Sequence, residues 1–361
     1  MKPDPVKIPW KPLPLPPERD IESKAVLKKL PSAHRALAEL KGIAASIPNQ
    51  SILLNTLGLQ EAKESSAVEN IITTQDELFK EGLNVSGWTN PAAKEVQNYV
   101  LALKKGYELV SKSGLITVNH IIKIQTALES NQAGFRKLPG TVLKNAQTGA
   151  VVFTPPQEYD EIVRAMTILE RYINDDTLSD SDPLVKMAVI HFQFESIHPF
   201  YDGNGRTGRI INMLYLIQKS LLHLPILYLS RFIIDHKDEY YHLLQQVREK
   251  GEWERWVLFM LEGIEVTSVE TIDLVNNIRS LMMDYKHRIR NDYKFYSQEL
   301  INNLFRYPYT KIEFICKDLK VSRLTAAKYL NRLAEDGLLT RKKLGVGNYY
   351  IHDRLVALFK R

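Results

Sequence analysis

Apolar residues recur at steps of three and four along most of the chain, which is the spacing of one buried helix face. An early run has them at positions 33, 37, 40 and 44, and the next helix is predicted to start near Gln50. We predict an interruption at Pro31, because proline lacks the N–H group that a helix uses. The same spacing predicts further helices over residues 94–111, 118–129, 159–174, 182–196, 210–222, 230–248 and 262–291.

One internal stretch departs from this helical spacing. The β-prone runs 141–144 and 150–153 flank the polar residues 145–149, which end in glycine. Two short β-prone runs around such a stretch indicate a β-hairpin.

The C-terminal part of the chain has its own pattern. Helical runs at 312–317 and 321–333 are followed by β-like runs at 338–342 and 348–351. Helix, turn, helix and hairpin in this order resemble a winged helix-turn-helix, with Ser322 as a plausible N-cap of the second helix.

These elements predict a mainly α-helical fold in several parts. Residues 1–17 contain seven prolines, which prevent a helix and predict an extended arm. The remaining parts are a helical region at 18–93, a core at 94–261 with the hairpin at about 140–156, a connecting helix at 262–291 and the winged helix-turn-helix domain at 292–361.

Composition adds limits to this picture. A chain of 361 residues with 44% hydrophobic content can bury a substantial core, and its single cysteine, Cys316, cannot form an internal disulfide. Neither a signal peptide nor a membrane-spanning run is visible, so we expect a soluble, cytoplasmic protein without a membrane partner. Residues 301–361 carry 13 Lys/Arg against 5 Asp/Glu, although the net charge of the whole chain is only +6. That excess favours an anionic partner for this segment.

The stretch from His198 to Arg209 has the highest density of residues that could bind a ligand or take part in catalysis. Gly203 and Gly205 allow the backbone to approach a ligand closely, and the helix that follows directs free N–H groups and the positive end of its dipole at the same place. Arg206 and Arg209 are three residues apart and therefore share one face of its first turn. A loop of this kind suits a polyphosphate.

The complete pattern, His-Pro-Phe-x-Asp-Gly-Asn-Gly-Arg-x-x-Arg, resembles the signature of Fic-domain proteins. This resemblance implies a Fic-type helical bundle with a β-hairpin flap. It also implies a protein adenylyltransferase, which moves AMP from ATP to a Ser, Thr or Tyr hydroxyl of a protein substrate and releases pyrophosphate.

The same resemblance implies a role for each position of the motif. His198 would be the catalytic base, and Asp202 would hold Mg²⁺. The backbone of Gly203–Gly205, with Asn204, would stabilise the α-phosphate, and the two arginines would hold the β- and γ-phosphates. ATP and Mg²⁺ are therefore the expected ligands.

An inhibitory motif is also implied upstream. Ser65, Glu69 and Asn70 match the pattern Ser/Thr-x-x-x-Glu-Gly/Asn of one Fic class, in which the glutamate pairs with the second arginine of the signature, here Arg209. A carboxylate on Arg209 would remove a phosphate partner and repel the nucleotide.

Two further sites follow from the resemblance. The hairpin would be the Fic flap, which aligns a target segment by main-chain pairing. Tyr240, then Tyr241, are candidates for contact with the base, whereas His191, Phe192 and Phe194 are expected to be packed or structural. The flap candidates are Thr141, Val142, Val151, Val152 and Phe153.

Other interpretations stay open at this point. The same site could remove AMP, with Glu69 positioning water, or the chain could be a nucleotide-sensing DNA-binding regulator. Arg323, Lys328, Arg332 and the basic run 341–343 could contact DNA phosphates, although winged helices also dock proteins. Self-modification and a homodimer are compatible with the sequence.

Overall fold

The computed structural model describes residues 13–82, 90–144, 148–344 and 347–359. Most of the proline-rich arm lies outside these ranges. The part of the arm that is described packs on the folded body, where Leu13 and Leu15 contact the core and the Leu13 carbonyl accepts a hydrogen bond from the Gln193 side chain.

The fold is mainly helical, as predicted. The helices are α1 (Lys24–Ala45), α2 (Ser51–Val68), α3 (Gln75–Gly82), α4 (Pro91–Ser113), α5 (Val118–Glu129), α6 (Tyr159–Asn174), α7 (Pro183–Ile197), α8 (Asn204–Gln218), α9 (Leu229–Asp235), α10 (Lys237–Lys250), α11 (Trp253–Asp292), α12 (Gln298–Arg306), α13 (Ile312–Leu319), α14 (Arg323–Glu335) and α15 (Asp353–Leu358). The strands are β1 (Leu143–Lys144), β2 (Val151–Phe153), β3 (Tyr309–Thr310), β4 (Thr340–Leu344) and β5 (Gly347–Ile351).

The predicted interruption at Pro31 is wrong, because α1 continues through this proline to Ala45. Packing explains the difference. The apolar face of α1 lies along α11, and this burial outweighs the hydrogen bond that proline removes. Lys29 adds ion pairs from α1 to Glu262 and Glu265 of α11.

The connecting helix is longer than predicted. It begins at Trp253 rather than near residue 262 and runs for 40 residues, roughly 60 Å at 1.5 Å per residue. Its buried residues continue from Trp253 to Ile289, so one helix belongs to both the core and the C-terminal unit. Despite this length, none of the helices in the described ranges is apolar enough to cross a membrane.

Helix α7 lies at the centre of the core. Asp182 caps its first turn by accepting the Leu184 N–H at 2.8 Å, and Pro183 occupies the first helical position. Every side chain from Leu184 to Ile197 is buried, including Phe192 and Phe194 as expected. Because α6, α8 and α11 surround it, α7 holds its C-terminal end in a fixed place.

The predicted hairpin is present but short. Strands β1 and β2 pair antiparallel, with Leu143 opposite Phe153 and Lys144 opposite Val151. Thr141 and Val142 precede the paired residues, and residues 145–147 of the predicted turn lie outside the described residues.

The C-terminal unit contains the predicted helix-turn-helix and hairpin. Helices α13 and α14 pack together, and strands β4 and β5 form a sheet that β3 extends in the order β3-β5-β4. Ser322 caps α14 by accepting the Thr325 N–H at 3.2 Å, as its sequence position predicted. The unit packs on the N-terminal helices, where the Tyr309 ring stacks on Phe79 at 5.1 Å.

Gly106 lies where α4 packs closely on α5 and α8. We expect that no side-chain carbon fits at this position. A Cβ there would lie 2.6 Å from Leu214 Cδ1 and 3.0 Å from Ile124 Cδ1. Gly106→Ala should therefore lower the free energy of unfolding by about 1–3 kcal/mol, measured by urea denaturation. Gly42→Ala is the control, because Gly42 lies in α1 with open space around it and should stabilise by about 0.5–1 kcal/mol. Equal stability of Gly106→Ala and wild type would contradict this packing.

Candidate active site

The motif begins where α7 ends. His198 takes the left-handed conformation, with φ 48°, and its N–H donates to the Phe194 carbonyl at 3.0 Å. The buried Arg136 guanidinium donates from Nε to the His198 carbonyl at 2.9 Å. These contacts determine where the imidazole lies.

The electrostatic surroundings keep His198 neutral. Burial lowers the pKa of His198 to about 4, and the positive charges of Arg136 and Arg248 act in the same direction. Its Nδ1 atom is buried and has no hydrogen-bond partner among the described residues. At neutral pH the imidazole can therefore accept a proton.

Asn204 closes the loop between α7 and α8. Its side-chain oxygen accepts the Phe200 N–H, and its side-chain nitrogen donates to the Phe200 carbonyl, both at 2.9 Å. Both ends of this amide are used inside the protein. The side chain therefore braces the loop, and the predicted contact of Asn204 with a phosphate stays a prediction, since its amide nitrogen has a second hydrogen to donate.

Helix α8 starts directly after this brace. Gly203 has φ 76°, and a Cβ at this position would overlap the Glu129 carboxylate. A Cβ at Gly205 would overlap the Glu69 carboxylate in the same way. Two carboxylates of the protein thus lie against the N-terminal turn of α8, where helix N–H groups favour negative charge.

Arg209 is held by the predicted inhibitory segment. Its Nη2 donates to Glu69 Oε1 and to the Ser65 carbonyl, each at 2.8 Å, and its Nε donates to Ser65 Oγ at 2.7 Å. Burial alone would raise the pKa of Glu69, but the Arg209 guanidinium outweighs it and holds that pKa below its usual value. Asn70, which follows with φ 64°, accepts a hydrogen bond from Lys237 at 3.0 Å.

Helix α2 is anchored so that Glu69 reaches Arg209. The fully buried Glu61 of α2 accepts hydrogen bonds from the Tyr99 hydroxyl at 3.0 Å and from the Ser230 N–H at 3.2 Å. Burial raises the pKa of Glu61 to about 7. Helix α2, which leads into the predicted inhibitory segment, is therefore attached to α4 and α9.

Arg206 is also paired, which the sequence analysis did not predict. It donates from Nη1 to Glu95 at 3.0 Å and from Nη2 to Glu129 at 2.8 Å. Burial raises the pKa of Glu129, Arg206 opposes this shift, and Asp202 and Glu95 add to it. No local spacing in the sequence indicated either carboxylate.

A third carboxylate, the buried Glu195, was also missed. Glu195 of α7 lies against Gly208, and its Oε1 has no hydrogen-bond partner among the residues that the structure describes. Burial raises the pKa of Glu195 to about 7, although Arg209 opposes the shift.

A cleft of about 390 Å³ opens in front of these residues. Asp202 is exposed in its wall, and its Oδ1 accepts the Gly203 N–H at 2.7 Å. One carboxylate beside an anion site fits Mg²⁺, which commonly takes one or two carboxylates together with phosphate oxygens and water. The lining residues are Glu69, Ile71, Glu95, His198, Tyr201, Asp202, Gly203, Asn204, Gly205 and Arg206.

The structure reverses the predicted preference for Tyr240 over Tyr241. Tyr240 is 1% exposed, and its hydroxyl is hydrogen-bonded to His191 Nε2 at 2.8 Å. Its ring lies 5.8 Å from that of Trp256, so Tyr240 and the buried His191 belong to the core. Tyr241, the next residue, is 46% exposed and can contact a ligand.

The predicted flap is joined to the motif at its base. The Tyr201 hydroxyl accepts hydrogen bonds from the N–H groups of Lys137 at 2.9 Å and Leu138 at 3.2 Å. Phe153 is buried with the Arg248 guanidinium 4.2 Å from its ring centre, so it anchors the flap. The other flap candidates, Thr141, Val142, Val151 and Val152, are partly exposed.

Comparison with protein families accounts for most of the chain. The model of the Fic/DOC family N-terminal region matches residues 27–108, and that of the Fic/DOC family matches residues 115–216. Residues 281–355 match the model described as "Protein adenylyltransferase SoFic-like, C-terminal domain".

Curated relatives match shorter parts. "Probable protein adenylyltransferase aq_aa38" of Aquifex aeolicus is 28% identical over 183 residues, which are 50% of this chain and 54% of that protein. "Protein adenylyltransferase Fic" of Drosophila erecta is 30% identical over 113 residues, 31% of this chain and 21% of that protein. The chain thus spans about half or less of the length of these relatives.

Solved structures share the fold. A Fic family protein from Desulfovibrio desulfuricans G20 has a TM-score of 0.58 at 20% identity, and the match covers 91% of this chain and 96% of that chain. Fic-1 from C. elegans has a TM-score of 0.53 at 19% identity, with 69% and 72% covered. Because the family models follow the N-terminal helices, the core and the C-terminal unit in order, this chain belongs to the Fic/DOC family.

Proposed function

We propose that this chain is a protein adenylyltransferase that moves AMP from ATP to a hydroxyl side chain of a protein and is inhibited by its own Glu69. The observation that carries this proposal is the neutral His198 at a cleft that also contains the N-terminal turn of α8. A proton acceptor beside a ready anion site is what transfer to a hydroxyl requires. The relatives named adenylyltransferases support the same activity.

In the proposed reaction, His198 takes the proton of the target hydroxyl. The oxygen attacks the α-phosphorus of ATP, a new P–O bond forms, and the bond to the β-phosphate oxygen breaks as pyrophosphate leaves. Mg²⁺ held by Asp202 would neutralise phosphate charge. The N–H groups of the first turn of α8 are already oriented, so they can stabilise charge that develops at the phosphate without reorganisation.

Arg206 and Arg209 are proposed to hold the β- and γ-phosphates. We propose that Arg209 does so after it leaves Glu69, because Glu69 and Ser65 accept hydrogen bonds from its Nη2 and Nε groups. Glu69 also lies against Gly205, where it would repel a phosphate. Inhibition therefore follows from occupation of the phosphate site by a carboxylate.

Substrate contacts are proposed on either side of the motif. Tyr241 is exposed beside the buried Tyr240 and is our candidate for the nucleotide base. The flap would pair with an extended target segment. Because Gln245 already donates to the Val152 carbonyl at 3.2 Å, the pairing would use the other backbone groups of the flap.

A second role is proposed for the C-terminal unit, namely binding to duplex DNA. Lys328 of α14 and residues 341–343 of β4 lie at the surface of this unit, which suits phosphate contacts. Arg323 and Arg332 are also at the surface and form ion pairs with acidic neighbours, which phosphates can replace.

Glu69→Ala should raise protein labelling by α-labelled ATP and Mg²⁺ at least about tenfold, because Arg209 becomes available to phosphate. Glu69→Ala/His198→Ala should abolish the label, and EDTA should do the same. Labelling is measured with and without cell extract, which separates self-modification from a target. Glu64→Ala is the matched control, since Glu64 lies near the end of α2, shortly before Glu69, and pairs with Lys63 instead.

Persistent label in the double variant would remove His198 as the base. If no sample is labelled, but the wild type releases AMP from adenylylated protein in the extract, the site removes AMP instead.

The pH profile tests the neutral state of His198. In the Glu69→Ala variant, kcat/KM should stay nearly constant from pH 7.5 to 5.5, because a pKa of about 4 leaves the imidazole unprotonated throughout. An imidazole with an ordinary pKa would lose roughly tenfold by pH 5.5. Glu195 has a pKa of about 7 and also titrates in this range, so the profile is repeated in Glu69→Ala/Glu195→Gln. A loss of roughly tenfold in both variants, with the fold intact by circular dichroism, would contradict the shifted pKa.

The full chain should bind a 25-base-pair duplex with an affinity that falls steeply with salt. Replacing Arg341, Lys342 and Lys343 by alanine should flatten the salt slope by roughly 0.9 for each phosphate that is no longer neutralised, as fluorescence anisotropy would measure. Lys105→Ala/Lys112→Ala on α4 is the control for basic charge elsewhere. An absence of binding at low salt would favour a protein partner for this unit.

A further inference from the structure

The partners of Arg206 are arranged in the same way as the partners of Arg209. Each arginine is 3% exposed, and each has one inner partner and one partly exposed carboxylate in the wall of the cleft. For Arg209 the inner partner is the buried Ser65, and the partly exposed carboxylate is Glu69.

For Arg206 the inner partner is Glu129. Its side chain is 14% exposed, it forms the last residue of α5, and it lies so close to Gly203 that a Cβ would overlap it. Movement of Glu129 away from this position would leave the buried guanidinium without its inner partner. Such a loss is strongly unfavourable for a buried charge.

Glu95 is the partly exposed partner of Arg206. Its side chain is 43% exposed, it lies in the first turns of α4, and it lines the cleft beside Glu69. A carboxylate with this exposure can rotate into solvent at small cost. Arg206 Nη1 now donates a hydrogen bond to Glu95, and this N–H group would then be available to a phosphate oxygen.

We propose that Glu95 is a second inhibitory residue, which occupies Arg206 as Glu69 occupies Arg209, and that Glu129 is the positioning residue that keeps Arg206 directed at the nucleotide. This assignment rests on the proposed adenylyl transfer. It goes beyond the inhibitory motif, because Glu95 lies on a different helix from Glu69.

The charges of the site give the physical reason. Glu69, Glu95, Glu129 and Asp202 surround two arginines, and His198 is neutral, so removal of Glu69 alone still leaves three carboxylates near the phosphates. Rotation of Glu95 removes one of these charges from the β- and γ-phosphates and frees a donor.

Nucleotide binding to the full chain tests the two roles separately. The background is Glu69→Ala/His198→Ala, in which Arg209 is free and transfer cannot occur, and the probes are ATP and AMP with Mg²⁺ in isothermal titration calorimetry. Glu95→Gln should tighten ATP binding by about three- to fivefold. AMP binding should not change, because AMP lacks the phosphates that Arg206 contacts.

Glu129→Gln should have the opposite effect and weaken ATP binding by roughly tenfold, because Arg206 is then no longer held towards the nucleotide and this loss of orientation outweighs the removal of one negative charge. AMP affinity should again stay constant, which a general loss of structure would not allow. Glu108→Gln is the control for charge on α4, since Glu108 is exposed and lies more than three turns from Glu95.

Unchanged ATP affinity in Glu95→Gln, or an equal gain for AMP, would overturn the inhibitory role of Glu95. Tighter ATP binding in Glu129→Gln, or equal losses for both nucleotides, would overturn the positioning role of Glu129. If Glu95→Gln and Glu129→Gln shift ATP affinity as expected but Glu69→Ala never labels protein, the proposed transfer fails while the roles of both residues in nucleotide binding stand. Failure of the background variant to bind either nucleotide would remove both.

Discussion

Two buried guanidinium groups at the start of α8 impose the main constraint on this structure. Arg206 and Arg209 are each 3% exposed, and a buried charge without a partner costs about 3–5 kcal/mol. The protein must therefore supply carboxylates whenever no phosphate is bound. The proposed inhibition by Glu69 would then be a direct result of burying the residues that would hold a polyphosphate.

A loop held by several hydrogen bonds places these arginines at the cleft. Asn204 uses both ends of its amide on the Phe200 backbone, and Arg136 holds the carbonyl of His198. Since α7 is buried along its whole length, the loop starts from a fixed point. The N–H groups of α8 are consequently oriented in advance, which is the condition for electrostatic stabilisation of a transferring phosphate.

Much of the fold was predictable from hydrophobic spacing, because most helices have one apolar face or are apolar throughout. Prediction was wrong at Pro31, where packing of α1 on α11 keeps the helix continuous, and at the start of α11, which lies at Trp253. The preference for Tyr240 also had to be reversed, since spacing locates a helix but does not say which of two adjacent tyrosines is buried.

The sequence by itself determined the motif from His198 to Arg209, the helical class of the fold and, through the family resemblance, the pairing of Glu69 with Arg209. Only the tertiary structure decided that Glu95 and Glu129 hold Arg206. These partners lie 111 and 77 residues away along the chain. Contacts at such separations depend on how α4, α5 and α8 pack, and no local pattern of residue types records that packing.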